Sequence, residues 1–287
     1  MSVLRLLAAL LLPAALLGGP AFAASPAKRT GAAKKWACFY GANISAQSWK
    51  QLDLVIVDPD SFQLPAASTG PVRLAYVSAG EADERRSFWP VAAGKDYLVE
   101  ANPDWAGAHR VDIRSAEWRE LLISSVVPQA LEKGYSGVML DTLDTAEYFE
   151  YSGPVKFKGS MAAARKFVLD LRARNPGAVI LINNGLPLLS AVGGAIDGLV
   201  IEDLYTRCDK NDCKVTPRAE AASREAAAAA FAKRYKKPVF AIIYARPQDR
   251  RSQWVRDAVK RARASGFRPY LAGATLERLG TVEPGGP

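Results

Sequence analysis

The sequence predicts an α/β fold in the form of a single-domain (β/α)₈ barrel, known as the TIM barrel. Eight short apolar runs fall within residues 36–272, and segments with polar faces separate them. Apolar runs of this length are typical of buried parallel strands, and their alternation with helical segments is typical of βα units. An open doubly wound sheet is the alternative. No glycine-rich phosphate loop follows the first run, which disfavours a nucleotide-binding version of that sheet.

The predicted strands lie at 36–40, 54–58, 72–78, 137–144, 179–183, 198–202, 238–244 and 266–272. The fourth is an apolar run that ends on two carboxylates, Asp141 and Asp144, and the sixth ends on Glu202. Parallel α/β folds place their chemistry at the carboxyl ends of the strands. These acids are therefore candidate functional residues. The alternative for Asp141 and Asp144 is that they only cap the turn into the following helix.

Helices are predicted between the strands at 45–51, 116–133, 161–174, 188–195, 218–235 and 249–265. Residues 84–113 form an extended loop insertion between strands 3 and 4. The insertion is rich in aromatic and turn residues rather than low in complexity, so we expect a structured loop beside the functional site. Little sequence remains for a helix after the eighth strand.

The N-terminal segment has the pattern of an export signal. Arg5 precedes an apolar run at 6–17, and Ala21-Phe22-Ala23 forms an A-x-A cleavage site. The predicted organisation is a signal peptide at 1–23, a disordered leader at 24–35, the barrel domain at 36–280 and a loose tail at 281–287. The apolar run is short for a membrane span. We therefore expect an exported protein, periplasmic or extracellular, with no membrane span after signal cleavage.

The cysteine and histidine content restricts the metal chemistry. Cys208 and Cys213 lie in one polar loop, and export would allow them to form a disulfide. A zinc site would lack ligands, because the chain has three cysteines and one histidine. Cys38 lies in the first predicted strand and is expected to be a buried thiol. The net charge of +9 is spread over several segments and no nucleic-acid-binding motif is present, so no nucleic-acid partner is expected.

In a barrel, the residues that follow the strands share one mouth. The polar and aromatic residues at these positions are Tyr40, Asp58, Tyr76, Ser78, Glu81, Asp141, Asp144, Asn183, Asn184, Glu202, Asp203, Tyr244 and Tyr270. Core packing does not explain the carboxylates, because burying an unpaired charge is costly. For each tyrosine, core packing is the alternative to a place in the mouth.

This set of side chains is typical of glycoside cleavage. One acid would protonate the leaving oxygen, and the other would attack the anomeric carbon or activate water. Aromatic rings can stack on sugars, while Asn and Ser can bind hydroxyl groups. A magnesium site formed by Asp58, Asp141 and Glu202 is the rival chemistry. A Ser-His-Asp mechanism is disfavoured, because His109 is the only histidine and lies in the insertion.

Several motifs in order resemble a known family, the endo-α-1,4-polygalactosaminidases of glycoside hydrolase family 114. They are Y-V-S-A-G-E-A-D at 76–83, Trp89, N-P-D-W-A-G at 102–107, Val111-Asp112, L-D-T-L-D at 140–144 and N-N-G at 183–185. The resemblance extends over about residues 36–271, which is nearly all of the chain after the signal. Any one motif alone would be weak, whereas their ordered series is specific.

The resemblance implies a hydrolase of α-1,4-linked galactosamine-rich exopolysaccharide that uses no metal or other cofactor. It also implies a catalytic Asp after the fourth strand and a catalytic Glu after the sixth, which match Asp141 and Glu202. We take Asp141 as nucleophile and Glu202 as general acid/base, with the exchanged roles still open. Asp144 is the fallback for Asp141, although a capping role suits Asp144 better.

The other mouth residues are expected to bind substrate or to orient the catalytic pair. They are Tyr40, Asp58, Tyr76, Ser78, Glu81, Asp144, Asn183, Asn184, Tyr244 and Tyr270. The expected partner is a polysaccharide, and the protein is expected to be a monomer. The alternative function is a non-catalytic carbohydrate-binding barrel associated with exopolysaccharide or cell-surface machinery.

Overall fold

The computed structural model describes residues 24–65, 70–209 and 212–282. The signal peptide predicted at 1–23 and residues 283–287 of the predicted tail lie outside the described residues. The strands are Trp36–Phe39 (β1), Leu54–Val57 (β2), Val72–Ser78 (β3), Glu81–Asp83 (β4), Leu98–Ala101 (β5), Ala108–Val111 (β6), Gly137–Asp141 (β7), Val179–Asn183 (β8), Gly198–Ile201 (β9), Thr206–Asp209 (β10), Asp212–Val215 (β11), Val239–Tyr244 (β12), Arg268–Ala272 (β13) and Thr281–Val282 (β14).

Eight of these strands form the predicted barrel. β1, β2, β3, β7, β8, β9, β12 and β13 lie side by side in that order, and each successive pair is parallel. The barrel is nearly closed between β13 and β1. There the Trp36 indole donates a hydrogen bond to the Arg268 carbonyl at 3.0 Å, and the Tyr40 amide donates to the Leu276 carbonyl at 2.9 Å. The (β/α)₈ prediction is confirmed.

The strands are apolar because both of their faces are covered. All four residues of β2 are fully buried, and the first four residues of β8 are fully buried as well. Strands that are covered on both faces favour β-branched and other apolar residues along their whole length rather than in alternation. The main core therefore lies inside the barrel and between the barrel and its helices.

The helices are Pro26–Ala32 (α1), Ala46–Lys50 (α2), Trp89–Ala92 (α3), Ala116–Leu121 (α4), Val127–Glu132 (α5), Thr145–Ser152 (α6), Ser160–Arg174 (α7), Leu189–Val192 (α8), Arg218–Tyr235 (α9) and Gln253–Ala264 (α10). The single helix predicted at 116–133 is interrupted by a π-helical turn, Leu122–Val126. Pro128 follows that turn, and its missing amide removes one hydrogen bond of the regular helical ladder. No described helix is both long and apolar enough to cross a membrane.

The insertion between β3 and β7 folds into a small sheet of its own. β4, β6 and β5 pair antiparallel in that order. The Trp89 and His109 rings stack at 5.2 Å beside this sheet, and His109 Nε2 lies 2.9 Å from the Glu84 carboxylate. The extended loop predicted at 84–113 is thus a structured addition to the mouth of the barrel.

The prediction of a disordered leader at 24–35 is wrong. Residues Pro26–Ala32 form α1, whose N-terminus is capped by the Ser25 hydroxyl. The Arg268 guanidinium donates to the carbonyls of Thr30 at 3.2 Å and Gly31 at 2.7 Å. The Thr30 side chain is fully buried, so α1 packs against the barrel.

The predicted loose tail begins as a short strand. Thr281 and Val282 pair antiparallel with Leu271 and Tyr270 of β13. The prediction is therefore wrong for residues 281 and 282, because unpaired β13 backbone at this edge supplies hydrogen-bond partners.

The predicted disulfide between Cys208 and Cys213 is present. It joins β10 and β11, whose antiparallel register places the two cysteines opposite each other. Cys38 is a buried free thiol, as predicted.

Candidate active site

The two predicted catalytic acids lie at the carboxyl ends of nearly adjacent strands. Asp141 is the last residue of β7, and Glu202 directly follows β9. β8 lies between these strands and ends on Asn183. Parallel strands bring their carboxyl ends to one edge. The chain order therefore places Asn183 between the two acids.

The Asn183 amide holds both acids. Its Nδ2 group donates to Asp141 Oδ1 at 2.8 Å and to Glu202 Oε1 at 2.7 Å. The sum of these lengths, 5.5 Å, is the greatest separation that the two oxygens can have. Asn183 is buried, and its Oδ1 has no hydrogen-bond partner among the described atoms. A buried, unpaired acceptor is destabilising, so this position is not optimised for stability.

Each acid also receives a hydrogen bond from a tyrosine. Tyr76 on β3 donates its hydroxyl to Asp141 Oδ2 at 2.9 Å. Tyr244, the last residue of β12, donates its hydroxyl to Glu202 Oε2 at 2.6 Å. These donors are neutral, so the two carboxylates are oriented without being neutralised by a cation.

The proton affinity of Glu202 is raised. Burial and the nearby Asp141 carboxylate raise its pKa from 4.5 to about 7, while the hydrogen bonds from Tyr244 and Asn183 act in the opposite direction. A carboxyl group with a pKa near neutrality can both donate and accept a proton at neutral pH. Glu202 is therefore suited to general acid/base catalysis.

Two further predicted tyrosines have different surroundings. The rings of Tyr40 and Tyr76 make an edge contact at 5.1 Å, and both residues are half-buried at the mouth. Tyr270 is fully buried; its ring lies 5.3 Å from the Trp36 ring, and its hydroxyl accepts a hydrogen bond from the Gly280 amide. The assignment of Tyr270 to substrate binding is wrong, because its ring belongs to the core and its hydroxyl is engaged with the backbone.

The remaining predicted acids lie around the pair rather than within it. Asp58 accepts a hydrogen bond from Arg86 at 2.5 Å, and Glu81 accepts one from the Asn102 amide at 2.8 Å. Asp144 stands at the N-cap position of α6, but its side chain makes no capping hydrogen bond. The capping role predicted for Asp144 is therefore wrong.

The predicted Ser78 and Asn184 also bond to protein groups. The Ser78 hydroxyl lies 2.8 Å from the Thr142 hydroxyl, and Asn184 Oδ1 accepts a hydrogen bond from Arg224 at 3.0 Å. Both residues stand at the ends of barrel strands beside Asp141 and Glu202. Their hydrogen bonds connect the mouth to Thr142 and Arg224, which were not among the predicted site residues.

Three residues of this neighbourhood were missed: Arg86, Thr142 and Arg224. The Arg86 guanidinium lies 5.1 Å from the centre of the Tyr76 ring and also contacts Asp58 and Asp60. Arginines and a threonine in helical or loop segments carry no distinctive spacing. The one available signal was Thr142 itself, which stands inside the L-D-T-L-D motif.

Within the described residues, no group of three or more His, Cys, Asp or Glu side chains is arranged to hold a metal ion. The magnesium alternative requires Asp58, but Asp58 forms an ion pair with Arg86. The Asp60 carboxylate lies 3.6 Å from the same guanidinium.

A (β/α)₈ barrel with a hydrogen-bonded carboxylate pair at the ends of its strands has the constellation of a glycoside hydrolase. The sequence comparison gives the particular family: the chain belongs to glycoside hydrolase family GH114, whose family model matches residues 19–286. The resemblance seen in the sequence motifs is confirmed, and the protein is a glycoside hydrolase.

The chain is similar to proteins from several organisms. It is 27% identical over 261 residues to an uncharacterised protein of Deinococcus radiodurans, which covers 85% of this chain and 81% of that protein. Among solved structures, the glycoside hydrolase domain of PelA from Pseudomonas aeruginosa is 22% identical, with a TM-score of 0.73 over 87% of this chain and 98% of that chain. Aspergillus fumigatus Ega3, in complex with galactosamine, is 19% identical with a TM-score of 0.67 over 87% of this chain and 95% of that chain.

Proposed function

We propose that this protein is an exported hydrolase that cleaves α-1,4-linked galactosamine-rich exopolysaccharide with retention of configuration. Membership of GH114 supports glycoside cleavage. The galactosamine bound to the similar Ega3 supports the sugar. The observation that carries the mechanism is the single Asn183 amide that bonds to both Asp141 and Glu202.

The spacing of the two acids favours retention. Retaining enzymes hold their carboxyl groups about 5–5.5 Å apart, whereas inverting enzymes need about 6.5–9.5 Å to admit a water molecule. The nearest oxygens of Asp141 and Glu202 are at most 5.5 Å apart, which is the sum of their two distances to Asn183 Nδ2. This spacing suits direct attack by a carboxylate on the anomeric carbon.

Asp141 is the nucleophile in this proposal, and Glu202 is the acid/base. An Asp141 oxygen attacks the anomeric carbon while the Glu202 proton passes to the glycosidic oxygen, and the bond between that carbon and oxygen breaks. The product is a sugar covalently bound to Asp141. Glu202, now ionised, then takes a proton from water, and the resulting attack at the anomeric carbon releases the sugar and restores Asp141.

The electrostatic coupling of the pair supports these roles. The negative charge of Asp141 helps to raise the pKa of Glu202. When Asp141 becomes an ester in the covalent intermediate, that charge disappears and the pKa of Glu202 falls. Glu202 thus changes from an acid to a base between the two steps, as retention requires.

The acidic mouth suits an amino sugar. Burial raises the pKa of Glu81 and of Asp144, and the charge of Asp141 adds to both shifts, so these carboxylates share one negative region. The ammonium group of a deacetylated galactosamine would be attracted to that region even though the whole chain is basic, because the local field governs binding.

The export pattern at the N-terminus and the Cys208–Cys213 disulfide support a location outside the cytoplasm. In that compartment the enzyme would meet exopolysaccharide directly. A role in polymer processing or in biofilm remodelling is consistent with this location.

The proposed function is tested by incubating the purified protein with defined α-1,4-galactosamine oligomers and their N-acetylated counterparts, with products read by mass spectrometry. Release of shorter galactosamine oligomers that the Glu202→Gln variant fails to release would support the proposal. Binding of the oligomers without cleavage by the wild type would instead favour a carbohydrate-binding barrel. Cleavage of only other glycans would overturn the proposed substrate.

A further inference from the structure

The three strand ends that form the site share an unusual backbone conformation. Asp141, Asn183 and Glu202 are each followed by a residue with a left-handed backbone. These residues are Thr142 with φ 58°, Asn184 with φ 49° and Asp203 with φ 55°. Asn and Asp tolerate this conformation better than other non-glycine residues, and a β-branched residue such as Thr rarely adopts it. Such backbone persists only where the surrounding structure holds it.

At the end of β7, the hydrogen bonds that hold the left-handed backbone of Thr142 are made by the Thr142 side chain itself. The Thr142 hydroxyl lies 2.8 Å from the Asp141 carbonyl and 2.8 Å from the Ser78 hydroxyl, and it accepts a hydrogen bond from the Gly80 amide at 2.8 Å. The Ala79 amide also donates to the Asp141 carbonyl at 2.9 Å. The backbone beneath the nucleophile is therefore fixed by residues of β3 and of the loop that follows it.

At the Glu202 end, the support comes from a helix outside the barrel. Arg224 of α9 donates through Nη2 to the Glu202 carbonyl at 2.8 Å and to Asn184 Oδ1 at 3.0 Å. Its Nη1 donates to the Asp203 carbonyl at 3.2 Å. One guanidinium therefore contacts the backbone of Glu202 and both of the left-handed residues, Asn184 and Asp203, that follow β8 and β9.

We propose that Arg224 is a positioning residue for catalysis, which fixes the backbone at the ends of β8 and β9 so that the Glu202 carboxyl group meets Asn183 and Tyr244. The inference rests on the proposed function, in which Glu202 is the acid/base. Nothing in the geometry requires Arg224 to touch the sugar.

The shape of the guanidinium explains why the residue is arginine. Its rigid planar fork presents several N–H groups in fixed directions, whereas a lysine ammonium is a single point on a flexible stem. The Glu202 and Asp203 carbonyls and the Asn184 side chain are three separate acceptors. A lysine could reach one of them but could not hold all three together.

Loss of the guanidinium should change the chemistry through Glu202. The two hydrogen bonds that Glu202 receives, 2.6 Å from Tyr244 and 2.7 Å from Asn183, favour its ionised form. If the β9 end shifts, these bonds lengthen and the pKa of Glu202 rises further. The general acid would then stay protonated to higher pH, and its misplacement would slow proton transfer.

The test compares Arg224→Ala, Arg224→Lys and wild type on a galactosamine oligomer that the wild type cleaves. We expect kcat to fall about 10²-fold in Arg224→Ala, as misplacement of a catalytic group by about 1 Å does, with KM unchanged within about twofold. The basic limb of the pH profile of kcat/KM should move to higher pH. Arg224→Lys should lie between the two.

The matched control is Arg234→Ala on the same helix. Arg234 is exposed and lies over the Tyr235 ring at 5.3 Å, away from the site residues. We expect wild-type kcat, KM and pH profile. This control separates loss of a guanidinium on α9 from loss of the specific contacts that Arg224 makes.

Three outcomes would overturn the inference. The first is wild-type kcat and pH profile with only a lower melting temperature in Arg224→Ala, which would make Arg224 merely structural. The second is a rise in KM alone, which would make it a substrate ligand. The third, relevant if Arg224→Ala does not fold, is wild-type kinetics in Arg224→Lys.

If the wild type cleaves none of the oligomers, the proposed function fails, but the positioning claim can still be tested. NMR titration of ¹³C-labelled Glu202 should then give a higher pKa in Arg224→Lys than in the wild type, and an unchanged pKa would overturn the inference.

Discussion

The two ends of the barrel surround their carboxylates in opposite ways. At the amino end, Asp197 bonds to the Arg172 guanidinium at 2.6 Å and to the Ile180 amide at 2.8 Å. At the carboxyl end, the side-chain carboxylates of Asp141 and Glu202 accept hydrogen bonds, among the described residues, only from neutral side chains, and they share one of these donors. The first arrangement neutralises charge, whereas the second keeps two like charges close together.

The arrangement at the amino end favours stability, whereas the arrangement at the mouth is less stable but suits proton transfer. An opposite charge lowers the proton affinity of a carboxylate, and a like charge raises it. The Asp197–Arg172 ion pair serves the fold, whereas burial and the Asp141 charge raise the pKa of Glu202 to about 7, which suits proton exchange near neutral pH. The amino end should therefore respond to substitution in stability, and the mouth should respond in rate.

The largest effect is expected from removing either acid of the pair. Glu202→Gln should lower kcat by roughly 10²–10⁴-fold, the usual range for loss of acid–base catalysis. Asp141→Asn removes the nucleophile, so the covalent intermediate cannot form and kcat should fall at least as far. Stability should be unchanged or higher, because each substitution removes the repulsion between like charges. Steady-state kinetics and thermal unfolding of the same samples measure both quantities. Full activity in either variant would refute the role given to that residue.

The opposite result is expected at the amino end. Asp197→Ala leaves Arg172 without its carboxylate and the Ile180 amide without its acceptor. The pair is partly exposed, with side-chain exposures of 19% and 23%, so we expect a loss of about 2–3 kcal/mol in the free energy of unfolding. The activity of each folded molecule should not change. A loss of kcat without destabilisation would contradict the division between the two ends.

A smaller and more selective effect is expected from two tyrosines on neighbouring strands. Tyr244→Phe removes a donor that favours ionised Glu202, so the pKa of Glu202 should rise above about 7. The basic limb of the pH profile should therefore move to higher pH. We also expect kcat to fall about tenfold, which is the usual effect of losing one charge-assisted hydrogen bond. The kcat/KM profile against pH measures this shift.

Tyr270→Phe is the matched control. Its hydroxyl accepts a hydrogen bond from the Gly280 amide in the core, so its loss should cost about 1 kcal/mol in the free energy of unfolding and leave the pH profile as it is. If Tyr270→Phe moved the pH profile and Tyr244→Phe did not, the placement of the two side chains would be wrong.

The sequence was informative where the fold repeats a simple pattern. Apolar runs followed by acids predicted the barrel and placed Asp141 and Glu202 at its mouth. The strands are buried on both faces, so they lack the alternation that tells which side a residue faces. For this reason the sequence could not separate Tyr244, which bonds to Glu202, from Tyr270, which is a core residue.

Other features could not be predicted because their partners are remote in sequence. Arg224 contacts the Glu202 carbonyl across 22 residues of sequence. Every residue type has a backbone carbonyl, so the identity of the acceptor residue does not reveal this hydrogen bond. The α1 helix did carry a local signal. Ser25 followed by Pro26 is a favoured helix start, but the small and basic residues around it obscured that signal.

The central claim is that Asp141 and Glu202 work as a closely spaced retaining pair. The most direct measurement is ¹H NMR of the anomeric protons during cleavage of an α-1,4-galactosamine oligomer, recorded before the product mutarotates. We predict that the α-anomer of the new reducing end forms first. Initial formation of the β-anomer would show inversion and would contradict the proposed attack by Asp141.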